Sequence, residues 1–213
     1  MELGLMNPYV AKILIAARPK DSINSIAHRI GLSYGWTYKW IQDLISAGVF
    51  KAHKSKIAMQ TSHHFYKETI AYIKSAFTHD VNFYYSVLQL FGITYRFTKT
   101  DAVFVWTKGG YNISRSRDYY PVFVTVETAD KTMFEQYCAK LDLRFDAKNG
   151  VFYVVEFADE FRIEYCDGIP VEPIDDTIAF MKKYIYNFQP ALEMIAKMYD
   201  KKFDVRYKEI THA

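Results

Sequence analysis

Cysteine is nearly absent from this chain of 213 residues. The two that occur, Cys138 and Cys166, sit outside any CxxC or Cys/His cluster. Neither a disulfide framework nor a structural zinc site is therefore expected, and a reducing, cytoplasmic setting follows. Long apolar runs are missing too: nothing approaches the ~18–20 residues of a membrane span. The opening MELGLMNPYV has no basic n-region and no cleavable apolar stretch, so no signal peptide and no membrane partner are expected. The phosphate-cradling patterns GxGxxG and GxxxxGK followed by Ser or Thr are absent, and Gly109-Gly110 is too short to replace them.

The signatures of reaction chemistry are equally thin. Asp159-Glu160 and Asp175-Asp176 are adjacent pairs at a turn and at a helix start. Carboxylates in such places act as solvated charge or caps rather than as an acid/base couple. His63 and His64 face different ways as neighbours at a helix start, and no Cys, Asp or Glu at useful spacing completes a ligand set; surface or capping roles are expected. Cys138, mid-helix without a partner, reads as a buried thiol. Arg115 and Arg117, in NISRSRDYY, are loop arginines open to an anion or a nucleic acid but more commonly just solvated. No catalytic residue, metal or cofactor is expected.

Aromatic side chains are plentiful: 18 Tyr and 16 Phe, within a chain that is 50% hydrophobic. That is ample material for packed cores and argues against extensive disorder. Charge is unevenly placed. Residues 1–77 carry 10 Lys and Arg against 4 Asp and Glu, whereas residues 78–213 carry 17 against 20. A basic first third points to an anionic partner for that part of the chain.

Residues 1–77 read as a series of short helices and a hairpin. Asn7-Pro8 caps and opens the first helix, with Tyr9, Val10, Ile13, Leu14 and Ala17 on its apolar stripe, and Arg18-Pro19 ends it. Asp21 or Ser22 caps a second short helix whose apolar positions are Ile23, Ile26, Ala27 and Ile30; Gly31 stops it. Ser33 caps a third helix running to about Ala47, with Trp36, Trp40, Ile41, Leu44 and Ile45 available to a core, and Gly48 closes it. Val49-Phe50 and Ile57–Met59 flank the basic stretch KAHKSK, the pattern of a hairpin. A helical period returns from His63 to Phe77, and a further helix covers Val81 to Phe91.

Helix, short helix, tight turn, helix, basic hairpin is the order of the winged helix-turn-helix family. The chain resembles that family across residues 8–77, through SINSIAHRIGLSYGWTYKWIQDLISAGVF and the following KAHKSKIAM. The resemblance implies that the third helix enters the major groove of double-stranded DNA with its N-terminal end. Here that end is Ser33, Tyr34, Gly35, Trp36, Thr37, Tyr38 and Lys39. Periodicity turns Trp40, Ile41 and Leu44 inward and Ser33, Tyr34, Thr37, Tyr38 and Lys39 outward. The wing supplies Lys51, His53, Lys54, Ser55 and Lys56 as phosphate contacts, and Lys20 and Arg29 are placed to touch the flanking backbone.

After Gly92 the texture changes. TDAVFVWTK, YPVFVTVE, GVFYVVEF and EFRIEYC alternate with loops; Val122–Val126 and Val151–Phe157 are strand candidates, and Lys131 to Leu141 is an amphipathic helix between them. Ala158-Asp159-Glu160 reads as a hairpin turn leading to Phe161–Tyr165, and Asp167-Gly168 as a second turn. Helices are expected from Asp175 to about Tyr186 and from Pro190 to Tyr199. The expected class is α+β: a winged-helix domain over residues 1–77, a connecting helix over 78–92, and a C-terminal α+β domain over 93–213 with a mixed or antiparallel sheet.

AVFVWTKGGYNISRSRDYYPVFVTVE resembles the nucleotidyltransferase fold, in which a Gly-Gly or Gly-Ser pair precedes a strand of alternating carboxylates holding two metals. Gly109-Gly110 fits; the strand positions hold Val, Phe and Thr, with Glu127 alone, so a metal site is missing. A winged helix joined to such a degenerate domain resembles the AbiEi-type antitoxin regulators, as does FRIEYCDGIPVEPIDDTIAFMKKY, and this resemblance implies an autorepressor. The leading expectation is a DNA-binding transcriptional regulator, a homodimer on a palindromic site, whose C-terminal domain dimerises, senses a small molecule or binds a protein partner. A nucleic-acid- or nucleotide-processing enzyme would instead bring together two of Asp101, Asp118, Glu127, Glu156 and Glu164; a winged-helix protein–protein adaptor is the third alternative.

Overall fold

The computed structural model describes residues 7–113, 115–116 and 118–203; the sequence reading that concerns Arg117 lies outside them. The chain is a mixed α+β protein, with two sheets among the described residues, and divides into two compact units, residues 1–93 with 132–143 and residues 94–131 with 144–213. The division is interleaved rather than contiguous. One helix from the middle of the chain, which the sequence pattern assigns to the C-terminal domain, belongs to the first unit.

The first unit opens with α1 (Pro8–Ala16), α2 (Ile23–Ile30) and α3 (Tyr34–Ser46). Each has the cap its sequence calls for. The Asn7 side chain accepts from the Tyr9 and Val10 amides, Ser22 from Ser25 and Ser33 from Trp36, which satisfies amide donors that have no intrahelical acceptor. Gly31 ends α2 in the left-handed region at φ 66°, where a Cβ would be strained. The apolar stripes of the three helices meet in a core of Ile13, Leu14, Ile26, Ile41 and Leu44, all fully buried.

Strands β1 (Phe50–His53) and β2 (Lys56–Met59) then form a two-stranded antiparallel hairpin, in register from Phe50 opposite Met59 to His53 opposite Lys56. Its base is pinned by buried Val49, Phe50 and Ile57. The Ile57 amide donates to the Asp21 carbonyl at 2.8 Å, tying the hairpin to the turn before α2. Helices α4 (His64–Phe77) and α5 (Val81–Val87) follow. The His63 ring caps α4, its Nδ1 accepting from the Phe65 amide.

Helix α7 (Lys131–Leu141) completes this unit by burying Phe134, Tyr137, Cys138 and Leu141. Tyr137 stacks on Phe91 at 4.4 Å between ring centroids. Its contacts explain why it leaves the neighbouring strands of the sequence. The C-terminus of α1 has carbonyls with no intrahelical partner, and α7 supplies donors for them. The Lys140 ammonium reaches the carbonyls of Leu14, Ile15 and Ala17 at 2.6, 2.7 and 3.3 Å, and the Tyr137 hydroxyl donates to that of Ala16. Arg29 adds a 2.7 Å bond to the same Ala16 carbonyl.

Burial pushes the Lys140 ammonium down to about 7, with the Arg29 charge adding to the effect and Asp21 opposing it. An unfolded lysine titrates near ~10.4. Between the two values the unfolded chain binds the extra proton, so this group makes stability climb with pH from about 7 to about 10 and leaves it flat below that window. Urea unfolding of the wild type and of Lys140→Met across that range is expected to show a difference that moves in favour of the wild type as pH rises; a constant difference would contradict the assignment.

The second unit is built on a five-stranded mixed sheet in the order β5-β4-β3-β7-β6, with β3 (Tyr95–Phe97), β4 (Tyr119–Glu127), β5 (Gly150–Ala158), β6 (Glu164–Cys166) and β7 (Ile169–Val171). Strands β4 and β5 pair in parallel from Tyr119 opposite Gly150 to Glu127 opposite Ala158. A parallel pair needs a long crossover, and the chain between these two runs through α7. Helices α6 (Lys99–Trp106), α8 (Ile174–Lys183) and α9 (Ile185–Met198) accompany the sheet.

Two sequence expectations are corrected here. TDAVFVWTK, whose element type the sequence leaves open, forms α6: Asp101, Ala102, Val103, Val105 and Trp106 are all buried, and a helix covered on most sides loses the polar face whose period would identify it. Ala158–Glu160 does not fold β5 back onto β6, because those two strands lie at opposite edges of the sheet. Pro190 lies inside α9 rather than at its start. The turn at Asp167-Gly168 is present between β6 and β7, with φ values of 50° and 83°.

Candidate nucleic-acid interface

The sequence-expected site residues all fall in the first unit, on the N-terminal half of α3 and on the β1–β2 hairpin. Tyr34 and Trp36 are 52% and 55% exposed, and Tyr38 and Lys39 are exposed beside them. Ser33 is exposed as well, with its hydroxyl spent on the α3 cap. Thr37 does not face outward: it is fully buried and its hydroxyl donates to the Ser33 carbonyl at 3.0 Å. A helix turns about 100° per residue, so Thr37 falls on the stripe of Ile41 and Leu44, both fully buried.

Trp36 and Trp40 depart from the inward reading. Trp40 is half-buried and Trp36 is mostly open. Together with Tyr9 of α1 they form an aromatic ladder, with ring centroids 6.1 Å apart for Tyr9 and Trp36 and 6.4 Å for the two tryptophans. The Lys39 ammonium lies 5.5 and 5.3 Å from the two indole centroids, in cation–π range. Tyr34 and Tyr38 make a second stack at 6.0 Å. The i, i+4 spacing of Trp36 with Trp40, and of Tyr34 with Tyr38, carries these pairs in the sequence. Tyr9, expected on the apolar stripe of α1, is instead 42% exposed and joins from that helix, so no local pattern announces the contact.

Lys51, His53, Lys54, Ser55 and Lys56 are all exposed on the hairpin. Lys54 sits at the two-residue turn with φ 53°, a left-handed conformation that an ordinary residue adopts only at some cost. Lys20, also exposed, stands in the turn before α2. Arg29 is not available to a phosphate: its side chain is buried, pairs with Asp21 at 2.7 Å and bonds the Ala16 carbonyl. Burial works against its charge, but the Asp21 hydrogen bond and charge outweigh that and raise its pKa.

In the second unit Arg115, expected in the loop as solvated or anion-binding, is instead buried. It donates to Asp101 at 2.9 Å and to the Pro121 carbonyl at 2.8 Å, and lies over the Tyr120 ring. Asp101 also accepts from the Phe123 amide at 2.8 Å. Of the other acids considered for catalysis, Glu164 accepts from the Ile174 amide at the start of α8. It lies on edge strand β6, with β7 and β3 between it and the β4–β5 pair that carries Glu127 and Glu156. Among the described residues no group of three or more His, Cys, Asp or Glu is placed to hold a metal ion, and no helix is long and apolar enough to cross a membrane. Gly109 adopts φ 79°, where a Cβ is strained, and a Cβ on Gly110 would crowd the Thr107 carbonyl oxygen at 3.0 Å and Cε of Met194 at 2.4 Å; the first is glycine for its backbone conformation and the second for close packing. No family model, curated protein or solved structure matches this chain.

Proposed function

We propose that the first unit is a winged helix-turn-helix that binds double-stranded DNA, and that the protein is a DNA-binding transcriptional regulator, a homodimer on a two-fold operator. The observation that carries this reading is the joint exposure of the α3 start (Tyr34, Trp36, Tyr38, Lys39) and of a hairpin bearing Lys51, Lys54 and Lys56 on one compact unit. An α-helix fits the major groove, and exposed ammonium groups neutralise phosphates and release counterions. The C-terminal unit, with no cluster of metal-binding side chains among its described residues, is assigned to dimerisation or partner binding, as in an antitoxin-type autorepressor.

Five exposed cations bear on the backbone in this arrangement: Lys20, Lys39, Lys51, Lys54 and Lys56. With about 0.9 counterion released per phosphate, affinity for a random duplex is expected to fall about 10²–10³-fold between roughly 50 and roughly 200 mM salt. Fluorescence anisotropy with a labelled duplex measures this. Binding that ignores salt, or no binding at the lower salt, would overturn the reading.

A further inference from the structure

We propose that a cavity of about 420 Å³ in the first unit is a binding site for a small organic carboxylate with an apolar body. The cavity opens where the turn after α1, the end of β2, one face of α4 and one face of α7 converge. Its size lies within the range of small-molecule sites. Met59, Tyr66, Ile70 and Met133 provide an apolar wall. The two methionines are unbranched and adaptable, so the wall accepts a chain or a ring without demanding one shape.

The polar part of the lining is of one sign. Arg18 and Lys74 contribute two cations, Lys140 a third whose charge burial weakens near neutral pH, and no carboxylate lines the cavity. Two of the three are held rigidly. Arg18 donates to the carbonyls of Phe91 and Gly92, and Lys140 to the carbonyls at the end of α1; these bonds fix position but neutralise no charge. Lys74, half-buried on α4, forms no ion pair with an acidic side chain among the described residues. A carboxylate leaving water needs charged or hydrogen-bonding partners to offset its desolvation, and charge-assisted bonds from lysine are strong ones. A cationic ligand would meet the like charges of Arg18 and Lys74 and no carboxylate. The geometry therefore selects an anion whose head lies at Lys74 and whose tail lies along Met59, Ile70 and Met133. This site does not depend on the nucleic-acid reading, and its test involves no DNA.

The full chain labelled with ¹³C at its methionine methyls reports on the site directly, because Met59 and Met133 line it and Met181 and Met194 belong to the second unit. Titration with octanoate is expected to shift the Met59 and Met133 signals and leave Met181 and Met194 in place. Octanamide, which has the same chain without the charge, is expected to bind about ten-fold more weakly or worse. Lys74→Ala removes that preference, and Lys74→Arg restores it, which separates lost charge from lost fold. No response at Met59 and Met133 at about 10 mM octanoate overturns the proposal. So do shifts spread evenly over all four methyls, equal binding of the amide, or a Lys74→Ala variant with the preference intact.

Discussion

Replacing Lys51, Lys54 and Lys56 together by alanine is expected to weaken binding to duplex DNA by about 10²–10³-fold at ~0.1 M salt. All three side chains are exposed on the hairpin, and none forms an ion pair with a described residue, so their loss breaks no described ion pair. If each neutralises one phosphate, the slope of log affinity against log salt becomes shallower by about 2.7. Extrapolated to ~1 M salt, wild type and variant converge, because the difference between them is counterion release rather than hydrogen bonding to bases. The same loss on every duplex sequence is part of the expectation. A triple variant with unchanged affinity and slope would remove the hairpin from the interface and leave the exposed aromatics of α3 as a surface for another kind of partner.

How much of this was legible in the sequence depended on how local the determinants are. The N-caps of α1, α2 and α3, the Gly31 stop and the basic hairpin are set within a few residues, and Asn7, Ser22, Ser33 and the KAHKSK stretch announce them. The α7 boundaries, Lys131 to Leu141, were equally readable. Its allegiance was not, because the reason is the open carbonyls of α1, more than a hundred positions earlier in the chain. Asp21 illustrates the same limit. As a residue before a helix it reads as a cap, but Ser22 takes that role and Asp21 is buried to hold Arg29. Arg29 and Arg115, read as surface cations, are both committed to buried carboxylates. A lone sequence marks the charge of an arginine but not its partner. Within α3, period alone placed Ile41 and Leu44 correctly, whereas the outward reading of Thr37 followed its polarity; the Ser33 carbonyl satisfies its hydroxyl inside the core.

The Asp21–Arg29 pair carries a large expected effect on the stability of the first unit. The two side chains are 9% and 8% exposed and meet at 2.7 Å, with a second contact at 3.2 Å, and Asp21 also accepts from the Arg18 amide at 2.7 Å. Asp21→Ala leaves a buried guanidinium without its counter-charge and an amide without its acceptor. Breaking a buried pair from one side costs about 3–5 kcal/mol, which lowers the melting temperature by roughly 10 °C for a chain of this size. Asp21→Asn keeps the acceptor for the Arg18 amide and loses less. The pair's own worth is a separate quantity, since both ions were desolvated to form it. An Asp21→Ala, Arg29→Met double variant removes both charges and is expected to be less destabilised than the two single losses combined, by about 1–3 kcal/mol. Strict additivity would mean that the two groups do not act as a pair. Hydrogen exchange adds a spatial readout. The Ile57 amide is bonded to the Asp21 carbonyl, so its protection is expected to fall in Asp21→Ala along with that of α2, while the amides of β4 and β5, in the other unit, keep theirs.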